Sequence, residues 1–185
     1  MPKKRKISIS LNRAIRAGPP TSVVLATCMS SDGKPNIITL GMYMPISFKP
    51  PMVVIGVSPK RYSHRLIAET GEFVVNVPTE EIIEETVFCG THSGRDVDKF
   101  GETKLTPVSA SRVKPPLIEE CVSHLECKVV ASHKCGDHTI FVGKVVAVHI
   151  DEGVMDETLN ILKAQTISHK GPIYFIPKPF YEFKG

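Results

Sequence analysis

Six runs of β-branched and aromatic residues, each closed by glycine, proline or a polar turn, set the strongest limit on what this chain can fold into. They are TSVVLATCM (21–29), NIITLGMYMPISF (36–48), MVVIGV (52–57), EFVVNV (72–77), HLECKVVAS (124–132) and HTIFVGKVVAVHI (138–150). Helical punctuation is sparse. Leu66, Ile67 and Thr70 lie at helical spacing ahead of Gly71, and Pro78-Thr79 opens a capped segment, with Glu80 and Glu81 in its first turn, that ends near Cys89-Gly90. Six or more strands with two or three short helices predict a mainly β, antiparallel barrel rather than a parallel α/β sheet.

Local signals refine this. The Asp-Gly in SSDGKP (30–35) predicts a hairpin turn, and HKCGD (133–137) separates two long strands of an antiparallel meander. Gly41 and Pro45 interrupt the second run, which predicts a bulge or a break in pairing there. The unbroken apolar MVVIGV predicts a strand buried on both faces. A length of 185 residues, without internal repeat or low-complexity linker, predicts one domain.

Charge and cysteine usage exclude several classes. The net charge of +4 owes much to Lys3, Lys4 and Arg5, so residues 1–10 are expected to form a flexible basic tail rather than a nucleic-acid patch. No apolar stretch reaches 18 residues and no signal-peptide pattern precedes the first strand, so neither membrane nor export is expected and the location reads as cytoplasmic. Cys28, Cys89, Cys121, Cys127 and Cys135 make an odd count without a CxxC pair, which suits a reducing compartment and free thiols. No GxGxxG, GxxxxGK[ST], GxSxG or HExxH occurs, which argues against Rossmann, P-loop, α/β-hydrolase and zincin chemistry.

Three segments remain as candidate sites. SPKRYSHR (58–65) sets Lys60, Arg61, Ser63 and His64 at the start of a helix, as an anion site requires; a solvated basic turn fits those residues equally. The irregular stretch 39–47 offers backbone N–H and C=O groups beside Tyr43 and Met44, suited to the edge of a flat heteroaromatic ring or to a plain bulge. Cys121, His124, Cys127, His133, Cys135 and His138 suggest zinc by type. The alternation of a strand nevertheless puts Cys121 and Cys127 on one face and His124 on the other, so no metal is expected.

Taken in order, NIITLGMYMPISFKPPMVVIGV, SPKRYSHRLIAETGEFVVNVP, CGTHSGRDVDKF and GDHTIFVGKVVAV resemble the flavin reductase-like proteins with the FMN-binding split-barrel fold, over about three-quarters of the chain. The resemblance implies a closed antiparallel barrel, noncovalent FMN at a homodimer interface, and hydride transfer from NAD(P)H to flavin. Its ring-edge loop corresponds to Thr39, Leu40, Gly41, Met42, Tyr43 and Met44, and its phosphate-side segment to Ser58, Lys60, Arg61, Ser63 and His64. Lys99 and Phe100 correspond to residues closing over the cofactor, and His138 to a position near the stacked nicotinamide. His169 and Tyr174, in HKGPIYF, match a family segment holding a histidine and an aromatic. LGMYM is bulkier than the small, Ser/Thr-rich loop of members that reduce free flavin, which suits tightly retained FMN as well as shuttling. A flavoredoxin-like carrier reduced by a protein partner and a non-catalytic flavin-binding module are the alternatives.

Overall fold

The computed structural model describes residues 7–8, 10–154 and 164–178; most of the basic tail expected at 1–10 lies outside them. A 3-10 helix (Leu11–Ala17) leads into β1 (Thr21–Ser22), β2 (Val24–Met29), β3 (Pro35–Leu40), β4 (Tyr43–Phe48) and β5 (Pro51–Val57). Then come α1 (Tyr62–Thr70), β6 (Glu72–Val77), α2 (Ile83–Thr91) and α3 (Lys99–Thr103). The short strands β7 (Pro107–Val108) and β8 (Leu117–Ile118) precede the long pair β9 (Ser123–Cys135) and β10 (His138–Ile150), and β11 (Ser168–Lys170) and β12 (Ile173–Phe175) follow.

Seven strands form one sheet in the order β3-β2-β6-β9-β10-β5-β4, with every pairing antiparallel. The expected closure is covalent rather than hydrogen-bonded. β3 and β4 are the two edges of the sheet, yet only Gly41 and Met42 separate them in sequence, so the sheet must curl until its edges nearly meet. The Gly56 N–H donates to Met42 O at 2.9 Å beside this seam. The result is a split barrel whose split runs between β3 and β4.

Period-two alternation places Val24, Ala26 and Cys28 of β2, Ile55 and Val57 of β5, Phe73 and Val75 of β6 and Phe141 of β10 inside the barrel, where Leu66 and Ile67 of α1 plug it. Burying each of these larger side chains contributes about 1.5–3 kcal/mol. Leu25 and Ile37 point outward into a second cluster with Cys89 of α2 and Phe100 of α3. Burial on both faces therefore belongs to β2, whose outward Leu25 joins the cluster with Cys89 and Phe100, whereas Met52 and Val54 of β5 are only half-buried.

Several local readings are corrected. The first predicted strand divides at Val23, because β1 pairs with β11 in a separate sheet while β2 joins the barrel. Thr79 makes no side-chain capping bond, and a 3-10 turn (Glu80–Ile82) leads into α2. The meander turn is tighter than HKCGD, with pairing from Cys135 to His138 across Gly136-Asp137. Cys121 precedes β9, so strand alternation does not reach it. It packs in the outer cluster and Cys127 in the barrel.

Outside the barrel a buried carboxylate pins the segment between β7 and β8. Glu126 of β9 is fully buried, and its Oε1 accepts from Ser111 N (2.8 Å), Ser111 Oγ (2.8 Å) and His149 Nε2 (2.7 Å). Its Oε2 accepts from Arg112 N (2.6 Å) and Val113 N (3.1 Å). Burial alone would raise its pKa, but the bonds from Ser111, His149 and Arg112 outweigh it and hold the carboxyl at about 2.

Candidate functional site

At the seam, the C-terminal ends of β3 and β5 face the 3-10 segment and β11 across a cleft of about 390 Å³. Thr39, Leu40, Gly41 and Met42 form one wall and Gly56, Val57 and Ser58 another; Ile15, Arg16, Pro19, His169 and Lys170 face them. His138 also reaches this wall, its Nδ1 bonded to Asp137 Oδ1 at 2.8 Å. His169 lies so close to the seam that a Cβ at Gly41 would sit 2.0 Å from its Nε2, so no larger residue fits there without moving the imidazole. Ile15, Pro19, Ile38, Leu40, Met42 and Val57 give the cleft apolar surface, with Arg16, Arg61, Lys170, His138 and His169 around it and main-chain polar groups at the seam, a combination suited to a flat ring.

A second compartment of about 170 Å³ opens from the first, and the two share Ile38, Arg61 and Gly90. Lys60, Arg61 and Ser63 come from the start of α1, His92, Ser93, Gly94 and Arg95 from the segment between α2 and α3, and Lys99 from the first position of α3. Neither compartment has an Asp or Glu in its wall, whereas together they hold Arg16, Lys60, Arg61, Arg95, Lys99 and Lys170. With the first backbone N–H groups of α1, that is a donor set for a dianion such as a phosphate monoester.

The floor of this second compartment is built from interlocked polar groups. Asn36 Nδ2 donates to Ser63 Oγ at 2.8 Å, and a Cβ at Gly94 would lie 1.9 Å from Asn36 Oδ1. The Lys99 ammonium donates to Ile37 O (2.7 Å) and Cys89 O (2.6 Å), which ties β3 to α2, and burial lowers its pKa. Arg95 donates to Lys60 O at 3.2 Å and lies over the Tyr62 ring, 5.5 Å from its centroid. Burial pushes the Cys28 and Cys89 thiols up to about 11, so both stay protonated near neutrality.

Of the residues singled out from sequence, Thr39, Leu40, Gly41, Met42, Ser58, Arg61, His138 and His169 line the first compartment, and Lys60, Arg61, Ser63 and Lys99 the second. Five others stand elsewhere. Phe100 is buried in the outer core, Tyr43 packs against the barrel interior, and Met44 is 56% exposed on the edge strand, because alternation along β4 turns neighbouring side chains to opposite faces. His64 bonds Thr139 Oγ1 at 2.9 Å and meets the Phe141 ring edge-on instead of lining either compartment. Tyr174 sits beside His169, ring centroids 5.9 Å apart, off the wall. Arg95 and Gly94 were missed, although both stand in the SGRDVDKF segment, where a glycine followed by an arginine after a helix end was the available signal. Arg16 was missed as well.

Among the described residues, no helix is long and apolar enough to cross a membrane. The profile of the flavin reductase like domain matches residues 17–170. A flavin reductase (NADH) of Kitasatospora aureofaciens is 33% identical over 128 residues, 69% of this chain and 65% of that protein. The structure superposes on flavoredoxin from Methanosarcina acetivorans with TM-score 0.87 and 30% identity, covering 97% of this chain and 95% of that one. It also superposes on an NADH:FAD oxidoreductase of Streptomyces globisporus with TM-score 0.77, covering 96% and 100% of the two chains; at 24% identity that likeness bears on the fold alone.

Proposed function

The chain belongs to the flavin reductase-like domain family, and from that premise we propose that it holds FMN across the two compartments and transfers a hydride to it from NAD(P)H. One observation carries this reading: a slot with apolar residues and backbone groups at the seam runs into a cationic pocket, neither has a carboxylate in its wall, and Arg61 belongs to both. The residues fit the cofactor at each end. Thr39, Leu40, Gly41 and Met42 supply the ring edge, and Lys60, Arg61, Ser63, Arg95 and Lys99 the phosphate end. A site that ends on a phosphate pocket favours FMN over FAD, whose phosphate continues into an adenosine.

When bound, FMN supplies the hydride acceptor, and the reduced nicotinamide that gives up the hydride leaves as the oxidised cation. The protein's share is alignment, so no general base is required. His138 and His169 stand on the wall where a second ring would enter, His138 held by Asp137 and His169 by its bond to Gly171 O and the fit against Gly41.

A homodimer completes the site in this reading. Met42, Met44 and Phe48, beside the seam and on the edge strand β4, are 50%, 56% and 92% exposed, an apolar stripe suited to a second copy. A light-scattering mass of one 20.3 kDa chain with FMN bound is the outcome that rejects it.

A flavoredoxin-like carrier reduced by a protein is the second reading, favoured by the match to the Methanosarcina flavoredoxin along nearly the whole chain. Stopped-flow reduction of FMN-loaded protein separates the two. Bleaching by NADH or NADPH supports the enzyme, bleaching by reduced ferredoxin alone supports the carrier, and bleaching by neither leaves a binding module. Mass spectrometry of the released cofactor tests FMN, and FAD as the sole species would overturn that assignment.

A further inference from the structure

We propose that Arg16 reads the phosphate charge of the dinucleotide donor, a role that rests on the nicotinamide reading above. The 3-10 segment that carries it lies almost wholly ahead of residues 17–170, the part matched by the family profile. Lys170 of β11 fixes it there. Its ammonium donates to the carbonyls of Ile15 (3.0 Å), Gly18 and Pro19 (3.3 Å), which turn toward it at the end of the 3-10 helix. Ile15, Arg16 and Pro19 are thereby held against the slot rather than left in solvent.

The cations of the slot then sort themselves. Arg61 also lines the phosphate compartment, and Arg16 does not. Lys170 already has three acceptors, which exhausts the hydrogens of an ammonium. Arg16 has no hydrogen-bond or ion-pair partner among the described residues, so it brings a full guanidinium to a wall without a carboxylate. Reduced nicotinamide is itself uncharged, so a cation beside its entry gains nothing from the reacting ring. The charge it can recognise is carried by the rest of the donor, the diphosphate common to both dinucleotides or the 2′-phosphate of NADPH. The side chain is exposed, so the effect should be near the low end of charge-assisted bonds, about tenfold in affinity, and sensitive to salt.

The test compares FMN-loaded wild type with Arg16→Ala, Arg16→Gln and Arg16→Lys, after their FMN content is matched by absorbance. Calorimetric titration with oxidised dinucleotide should show Kd about tenfold weaker for Ala and Gln, with Lys recovering most of the loss and high salt erasing the difference. In stopped flow, the second-order rate constant for NADH or NADPH, divided by that for neutral 1-benzyl-1,4-dihydronicotinamide, should fall by about the same factor at an unchanged limiting rate. Equal losses for NADH and NADPH assign the diphosphate, and a loss confined to NADPH assigns the 2′-phosphate. An unchanged ratio, or equal loss with the neutral donor, overturns the proposal while leaving the nicotinamide reading standing. Wild type bleached by the neutral donor but by neither dinucleotide overturns both.

Discussion

Replacing Glu126 with glutamine should remove this carboxylate's share of the fold's acid sensitivity, by an amount that follows from its five hydrogen bonds. The carboxyl is held at about 2 against an ordinary 4.5. At about 1.4 kcal/mol per unit, the difference is worth about 3 kcal/mol of folding stability. Because the folded-state value is depressed, that stability is present above about pH 4.5 and is lost as pH falls toward about 2. Glutamine keeps the shape but replaces one acceptor oxygen with a donor. Turned toward Ser111 and His149, its NH2 group leaves the Ser111 N–H unpaired; turned the other way, it opposes the N–H groups of Arg112 and Val113. Losing the charge and stranding one or two donors costs about 2–4 kcal/mol, which agrees with the linkage figure. The assay is urea unfolding followed by circular dichroism for both proteins between about pH 7 and pH 2.5. The other carboxylates contribute alike to the two and cancel in the difference. The gap should be about 3 kcal/mol near neutrality and close progressively below about pH 4.5. Parallel curves down to the lowest pH, or a gap under about 1 kcal/mol at neutrality, would refute the account of this carboxylate.

Three further outcomes are expected at the site itself. Arg61→Ala should weaken FMN binding by roughly ten- to a hundredfold, the worth of one charge-assisted bond, with little change in the reduction rate of flavin-saturated protein. His138→Ala should do the reverse, because a misplacement of about 1 Å where the rings meet can cost on the order of a hundredfold in rate; FMN titration and single-turnover reduction check both variants. Gly94→Ala should cost about 1–3 kcal/mol in thermal or urea unfolding and also lower FMN affinity, because the new methyl displaces Asn36 and with it the bond to Ser63.

What could be read from the sequence follows the range of each physical signal. Strand-forming runs are a local signal, so the strands of the barrel were legible, as was the break at the seam, through Gly41. The clusters at 39–42 and 58–63 were legible too, because each is contiguous in sequence and meets the other through the simple adjacency of β3 and β5 ends. Partners supplied by covering elements were not. Nothing in HTIFVGKVVAVHI or HLECKVVAS states that Glu126 will meet Ser111, and the meeting of Leu25 with Cys89 and Phe100 cannot be read from β2. Of the site candidates that line neither compartment, Tyr43, His64 and Phe100 each stand beside a lining residue, and a neighbour in a strand or helix faces another way.

The seam also limits how this barrel can breathe. From Leu40 to Tyr43 the chain takes three steps, and at 3.8 Å per step the edges of the sheet can part there by no more than about 11 Å, however the rest moves. At the opposite end of the split, near Pro35 and Phe48, no such tether exists, since each strand continues into a partner on its own side. Widening of the split must therefore pivot about Gly41-Met42 like the covers of a book about its spine, and the ring slot lies next to the spine. Motions that open the far end by several ångströms leave the width of the slot almost untouched, so the barrel can loosen without letting go of what the slot holds.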